Sequence, residues 1–273
     1  MVNGLIRIEE HGTNWQSIKS SIILKTTIMK KVLIVIYGIL AYIVFLTAFL
    51  YAIGFVGNLF VPKSIDSGEE ISQIPAVLIN LGLLSLFALQ HSIMARPAFK
   101  KWFTQFINPA IERSTYILLS SLILLFMYWK WQPMTAIVWE TEATVSSILM
   151  VVFFSGWLIV FLSTLMISHF ELFGLTQIYQ NFKNQSLTTP KFQVNWFYKL
   201  VRHPIMLGFI IAFWAAPTMT FGRLLFAVVT TAYILIAVKF LEEKDLKKII
   251  GKDYEAYQKR VPMIFPFTKF KKG

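Results

Sequence analysis

From Val32 onward the chain alternates long apolar runs with short charged or proline-bearing stretches. The first run extends from Val32 to about Phe60 and gives way at Val61-Pro62-Lys63 to a polar loop carrying Asp66, Glu69 and Glu70. The second, Ala76 to Met94, stops at Arg96-Pro97, and a basic loop with Lys100, Lys101 and Arg113 follows. The third runs from Tyr116 to about Trp131. Pro133, Glu140 and Glu142 mark the loop before the fourth, Val145 to Ile167. A polar stretch from His169 to Arg202 leads to the last run, about 37 residues between Pro204 and Glu242. As one straight helix that run would reach roughly 55 Å, nearly twice the hydrocarbon thickness of a bilayer. Pro217 lacks a backbone donor and Gly222 relaxes the backbone, so a break near either turns the run into a hairpin of two spans. The pattern predicts an all-α integral membrane protein, a bundle of about six transmembrane helices whose last two form a helical hairpin.

Composition agrees: 56% of residues are hydrophobic and only 15% charged. With no cysteine, disulfides, thiolate nucleophiles and cysteine-based metal sites are excluded. A net charge of +12 would suggest nucleic acid in a soluble protein. Here basic loops against anionic lipid account for it, so the bilayer is the expected partner and nucleic acid is not. With six spans and both termini cytoplasmic, Lys and Arg gather on the inner segments and only Lys63, Lys130 and Arg223 fall outside, as the positive-inside rule requires. Trp129, Trp131 and Trp139 would form an outer interfacial belt, Trp102 and Trp196 an inner one. Met29 before Lys30-Lys31 resembles a start, so residues 1–31 are read as a frayed N-terminal cytoplasmic extension and residues 32–273 as a single transmembrane domain.

Candidate chemistry sits at span ends. Arg202 and His203 precede Pro204 at an expected first helical turn, an arrangement that can bind a carboxylate or phosphate; lipid anchoring and helix capping are the plain alternatives. Glu242 and Glu243 return to the same membrane surface across the hairpin. Neighbouring lysines make a solvated helix end the plain reading, and consecutive residues do not face one pocket squarely, so one Glu is expected to bind a ligand and the other to cap or pair with a cation. Tyr254, Tyr257 and Val261 share one helical face and are expected to pack the tail on the hairpin. His91, beside Gln90, and His169 are candidate proton acceptors or haem ligands, or merely hydrogen-bonded interfacial side chains. No metal site is expected, because no His-x-x-x-His or carboxylate-rich cluster accompanies them.

Arg202-His203-Pro204, the hairpin, the Glu pair, and a tail with Gly251, Tyr254, Tyr257, Val261 and Pro262 together resemble the isoprenylcysteine carboxyl methyltransferase superfamily of integral membrane methyltransferases. The upstream text, Leu89-Gln90-His91-Ser92-Ile93-Met94-Ala95-Arg96-Pro97, Glu112-Arg113-Ser114-Thr115-Tyr116 and His169-Phe170-Glu171-Leu172-Phe173-Gly174-Leu175, is similar to its branch of bacterial methanethiol S-methyltransferases. Many superfamily members have Tyr three residues after the motif His; this chain has Met206, which suggests a different pocket wall. The resemblance implies an S-adenosyl-L-methionine site within residues 198–266, formed by Tyr198, Arg202, His203, Pro204, Glu242, Glu243, Tyr257 and Arg260. It also implies catalytic roles for His91 or His169, a small-molecule thiol substrate, most directly methanethiol giving dimethyl sulfide, and a bacterial inner-membrane location with the cofactor site facing the cytoplasm. A larger lipophilic acceptor, such as a prenylated cysteine or phospholipid amine, and a non-catalytic subunit like the proteins associated with nitrite and nitric oxide reduction are the alternatives.

Overall fold

The computed structural model describes residues 12–187 and 192–268. Helix α1 spans Gly12–Gly57, 46 residues or about 69 Å, more than twice the bilayer core. It continues without interruption through the residues ahead of Val32, where the sequence suggests a frayed tail. Trp15 to Lys31 contains neither Pro nor Gly to break it, and Lys31 Nζ donates to the Phe182 carbonyl and to Asn184 Oδ1. Residues 1–11 of the expected extension lie outside the described residues.

Helix α2 (Gln73–Ala95) ends where Pro97 holds Arg96 extended, and a short α3 (Pro97–Phe103) follows. Asn108 caps α4 (Pro109–Lys130) by accepting from Ala110 N–H. After strand β1 (Ile137–Glu140) come α5 (Ala143–Ile167), α6 (His169–Leu172), α7 (Leu175–Phe182) and α8 (Phe197–Leu200). The last third holds α9 (Pro204–Trp214), β2 (Thr218–Thr220), α10 (Phe221–Ala237), a π-helical turn over Val238–Glu242, α11 (Glu243–Ile250) and α12 (Lys252–Arg260).

Five segments among the described residues are long and apolar enough to cross a membrane: Trp15–Gly57, Gln73–Ala95, Pro109–Lys130, Ala143–Ile167 and Phe221–Ile250. The expected hairpin is present, with Pro217 in its turn and Gly222 already inside α10, but its arms are unequal. Helix α9 has only 11 residues, about 16 Å, half a bilayer. Beyond it the chain runs extended and β2 pairs antiparallel with β1, joining Ile137 to Thr220 and Glu140 to Thr218. Beside this small sheet Asp66 accepts from Arg223 Nε at 2.7 Å, from Thr220 Oγ1 and from Asn58 Nδ2, so a loop acid becomes a partly buried anchor for the start of α10.

Trp131 departs from its expected belt position. It is fully buried between Phe55 and Phe226 in the largest core cluster, because the chain turns inward after α4. Trp129 does face outward, with Lys130 Nζ 3.8 Å from its ring centroid.

The closest helix contact is between α5 and α9. A Cβ on Gly208 would lie 2.7 Å from the Gly156 carbonyl oxygen and 2.8 Å from Val160 Cγ2, and one on Gly156 would meet backbone of α9 at 2.7 Å. Backbones this close leave no room for side chains, the small-residue packing that membranes favour. Gly208→Leu is expected to separate the helices and lower the thermal midpoint in detergent by roughly 3–10 °C. Gly82→Ala, on α2 with nothing within 4 Å of the added carbon, should leave it unchanged or raise it slightly.

Candidate active site

Val201 is extended, and the two residues after it pair with the tail beyond α12: Arg202 N–H donates to the Pro262 carbonyl at 2.9 Å and His203 N–H to that of Met263 at 3.1 Å. Pro204 is buried at the first turn of α9, where its missing N–H leaves nothing unsatisfied. Two cationic side chains are thereby fixed by backbone at the mouth of a short helix. Tyr198 O–H reaches the Ser163 carbonyl at 3.4 Å, which sets this mouth about one turn inside the end of α5.

The carboxylates arrive on the helix formed by α10, the π turn and α11. A π turn holds one residue more per turn than an α-helix, so it shifts the facing of everything after it. Glu243, the first residue past the turn, is buried and accepts from Arg202 Nε at 2.8 Å, Arg202 Nη2 at 2.9 Å, His203 Nε2 at 2.7 Å, Tyr254 O–H at 2.8 Å and Gln258 Nε2. Arg202 Nη1 is taken up by the Val261 and Gln258 carbonyls. Both oxygens of Glu243 are saturated, and this carboxylate acts as a lock.

Glu242 faces differently. Its Oε1 lies 3.5 Å from His203 Nδ1 and 41% of its side chain remains accessible. It sits within electrostatic range of His91, Tyr116, Tyr198 and Tyr233, side chains contributed by α2, α4, α8 and α10. The π turn thus separates the pair: Glu243 binds cations of the protein, and Glu242 keeps part of its carboxylate accessible beside His203. Tyr116 O–H lies 2.9 Å from His91 Nε2 and 3.0 Å from Nδ1, Ser120 Oγ donates to Gln90 Oε1 at 3.1 Å, and Tyr233 O–H meets Ser92 Oγ at 2.9 Å.

His169 is elsewhere. Its Nε2 meets Tyr42 O–H and its Nδ1 meets Thr164 Oγ1, both at 2.8 Å, inside a ring of Phe161, Phe170 and Phe173, and burial lowers its pKa. Through these two bonds it ties α1 to α5. Arg260 is also outside the cluster, exposed on α12 with its Nε–H 3.4 Å from the Ala256 carbonyl. Tyr257 is buried and donates to the Tyr198 carbonyl at 2.5 Å, so it braces Tyr198. Tyr254 and Tyr257 pack with Val261 as their spacing predicts, yet the bond from Tyr254 to Glu243 was not legible, nor were Gln258, Tyr116, Tyr233, Arg96 and Asp245. The available signal was polarity out of place: Gln90, Tyr116, Ser120 and Tyr233 interrupt apolar helical faces.

Outside the lock, Lys239, Lys244, Lys247 and Met263 line an open groove of about 490 Å³ against Arg202 and Glu243. One face of the lock is therefore lysine-rich, and the other carries Glu242 and the tyrosines.

Burial by itself drives the His203 imidazole toward neutrality, but the Glu242 and Glu243 carboxylates outweigh it and hold the pKa up at about 9. At neutral pH the ring is a cation with both N–H groups aimed at carboxylates. A raised folded-state pKa means that this stabilisation is complete below the ordinary histidine value of about 6.5 and is lost as pH rises through about 9. The melting temperature in detergent should fall across that window, and His203→Gln should flatten the dependence. Glu243→Gln leaves two buried cations short of their counter-charge and is expected to cost about 3–5 kcal/mol, whereas Glu242→Gln should leave the fold intact.

Comparison with known proteins finds relatives over most of the chain. The family model described as NnrU protein matches residues 78–261. Methanethiol S-methyltransferase 2 of Bradyrhizobium diazoefficiens is 52% identical over 233 residues, 85% of this chain and 90% of that protein. Methanethiol S-methyltransferase of Mycobacterium tuberculosis is 49% identical over 240 residues, 88% of this chain and 98% of the relative. Nurim of Mus musculus is 30% identical over 190 residues, 66% of this chain and 71% of that protein. No solved structure matches significantly. Similar over most of its length to several proteins of one name, the chain belongs to the methanethiol S-methyltransferase family.

Proposed function

We propose that this protein transfers a methyl group from S-adenosyl-L-methionine to the sulfur of a small thiol, methanethiol, giving dimethyl sulfide. We further infer a bacterial inner-membrane enzyme with its cofactor site toward the cytoplasm, a reading supported by the distribution of Lys and Arg. The observation that carries the proposal is Glu242, a partly accessible carboxylate beside the His203 ring and next to a second carboxylate already saturated. The relatives of that name support the choice of acceptor.

The residues fit the cofactor. S-adenosylmethionine bears a sulfonium, an α-ammonium, ribose hydroxyls and a carboxylate, with a net positive charge. A carboxylate attracts the first two and accepts from the third, and tyrosine rings attract a cation through their faces. The lysine-lined groove on the other side of the lock suits a net cation poorly.

Bound there, the cofactor supplies an electrophilic methyl group on a positively charged sulfur. Glu242 draws in and orients that charge, and His203, held by both carboxylates, fixes Glu242. A ring nitrogen of His91 takes the thiol proton, and Tyr116 keeps the imidazole in place. Methyl transfer would join the thiol sulfur to the methyl carbon as that carbon's bond to the sulfonium breaks, with the bonding pair left on the departing sulfur. The apolar helices exclude water and align the two sulfurs on either side of the methyl group, where most of the acceleration of such a displacement arises.

Headspace gas chromatography of the purified protein with methyl-deuterated S-adenosylmethionine and methanethiol should yield labelled dimethyl sulfide. His91→Gln is expected to lower kcat about 10²- to 10⁴-fold with little change in cofactor affinity, and Glu242→Gln to weaken cofactor binding. Cofactor binding without any labelled volatile product would reject methanethiol as the acceptor.

A further inference from the structure

The methyl donor carries a free α-carboxylate, and the motif that anchors its site has no cation left to receive it. Arg202 spends Nε and Nη2 on Glu243 and Nη1 on two backbone carbonyls. His203 has a carboxylate at each ring nitrogen. Lys239, Lys244 and Lys247 line the groove on the far face. Arg113 gives Nε to the Leu172 carbonyl and lies over the Tyr116 ring, with its guanidinium carbon 5.6 Å from the centroid.

Arg96 is the cation bonded to the helix that carries Glu242 itself. It stands at the end of α2, held extended by Pro97, with Nε bonded to the Ser92 carbonyl at 3.1 Å and Nη1 to Asp245 Oδ2 at 2.7 Å. Those bonds leave Nη2 and the second Nη1 hydrogen available. The pair is neither sunk in the core nor fully in water, with side chains 28% and 22% accessible. Asp245 lies three residues past Glu242, on the same helix. Ser92, whose carbonyl positions the guanidinium, also meets Tyr233 through its hydroxyl.

We propose that Arg96 and Asp245 form the clamp for the amino-acid end of the methyl donor: the Arg96 guanidinium takes the α-carboxylate, and the Asp245 carboxylate, with Glu242, takes the α-ammonium. The inference rests on the cofactor reading above. A guanidinium beside a carboxylate matches a zwitterion charge for charge, and the pair already holds that arrangement before a ligand arrives. Because the clamp bridges α2 and α11, binding would also fasten the first half of the bundle to the last helix.

The test compares S-adenosylmethionine with its decarboxylated analogue, identical except for the missing carboxylate, by calorimetry on the full chain in detergent. Wild type should prefer the carboxylated ligand by about 10- to 100-fold. Arg96→Gln should remove that preference by weakening S-adenosylmethionine alone, and Arg96→Lys should restore part of it. Equal affinity of wild type for the two ligands would overturn the clamp while leaving the cofactor reading intact, and needs no variant to fold. An Arg96→Gln protein that loses both ligands equally, or neither, would overturn it as well. Failure of wild type to bind either ligand would overturn the cofactor reading and the clamp together.

Discussion

Everything at the functional end of this protein depends on one buried carboxylate with five donors around it. Glu243 gathers the residues before α9, the end of the long helix, the α12 face and, through Arg202, the tail carbonyls at Val261 and Gln258. Burying charge is expensive, and a tightly packed apolar cluster could hold the same segments at least as firmly. What an apolar cluster could not do is fix direction. A bidentate fork between Arg202 and Glu243 tolerates one geometry, and it orients His203, which in turn faces Glu242. Glu243 is thus spent on the protein's own cations while Glu242 stays partly accessible, and the π turn separates the two.

The apolar runs were legible because membrane length is a strict constraint: each run had to be long enough to cross or be broken. That reasoning located the last break near Pro217 or Gly222 but not the brevity of α9. Helix α9 stops after 11 residues because the chain leaves it to build the strand that pairs with Ile137–Glu140, a long-range contact that local pattern does not encode. Trp131 misled for a related reason. A tryptophan at a span end reads as an interfacial anchor, and only the packing of Phe55 and Phe226 around it reveals a core residue.

In the site, contiguous motifs were readable and facing was not. Arg202, His203 and the Glu pair stood out as charges at the ends of apolar runs. Which glutamate did which job depended on a single-residue change of helical register, invisible in composition. His91 and His169 look alike in sequence, each polar at a span end. Their difference lies in partners: His169 is held by Tyr42 and Thr164, His91 by Tyr116 and Ser120. Arg260 belonged to a tail pattern whose other members turn inward, and its position at the end of α12 turns it out.

The short α9 has a further consequence for charge. Its mouth lies beside the last turn of α5, so Arg202, His203 and Glu243 are buried while Glu242 stays partly accessible. Two cations and two anions cancel there, and the accessible part of that charge is the carboxylate of Glu242. Under the function proposed above, a cationic methyl donor approaching that carboxylate would meet attraction at short range, and a small apolar thiol would need no charge at all. One site would then serve two reactants of opposite solubility, and the short α9 is what brings its cations beside the Glu pair.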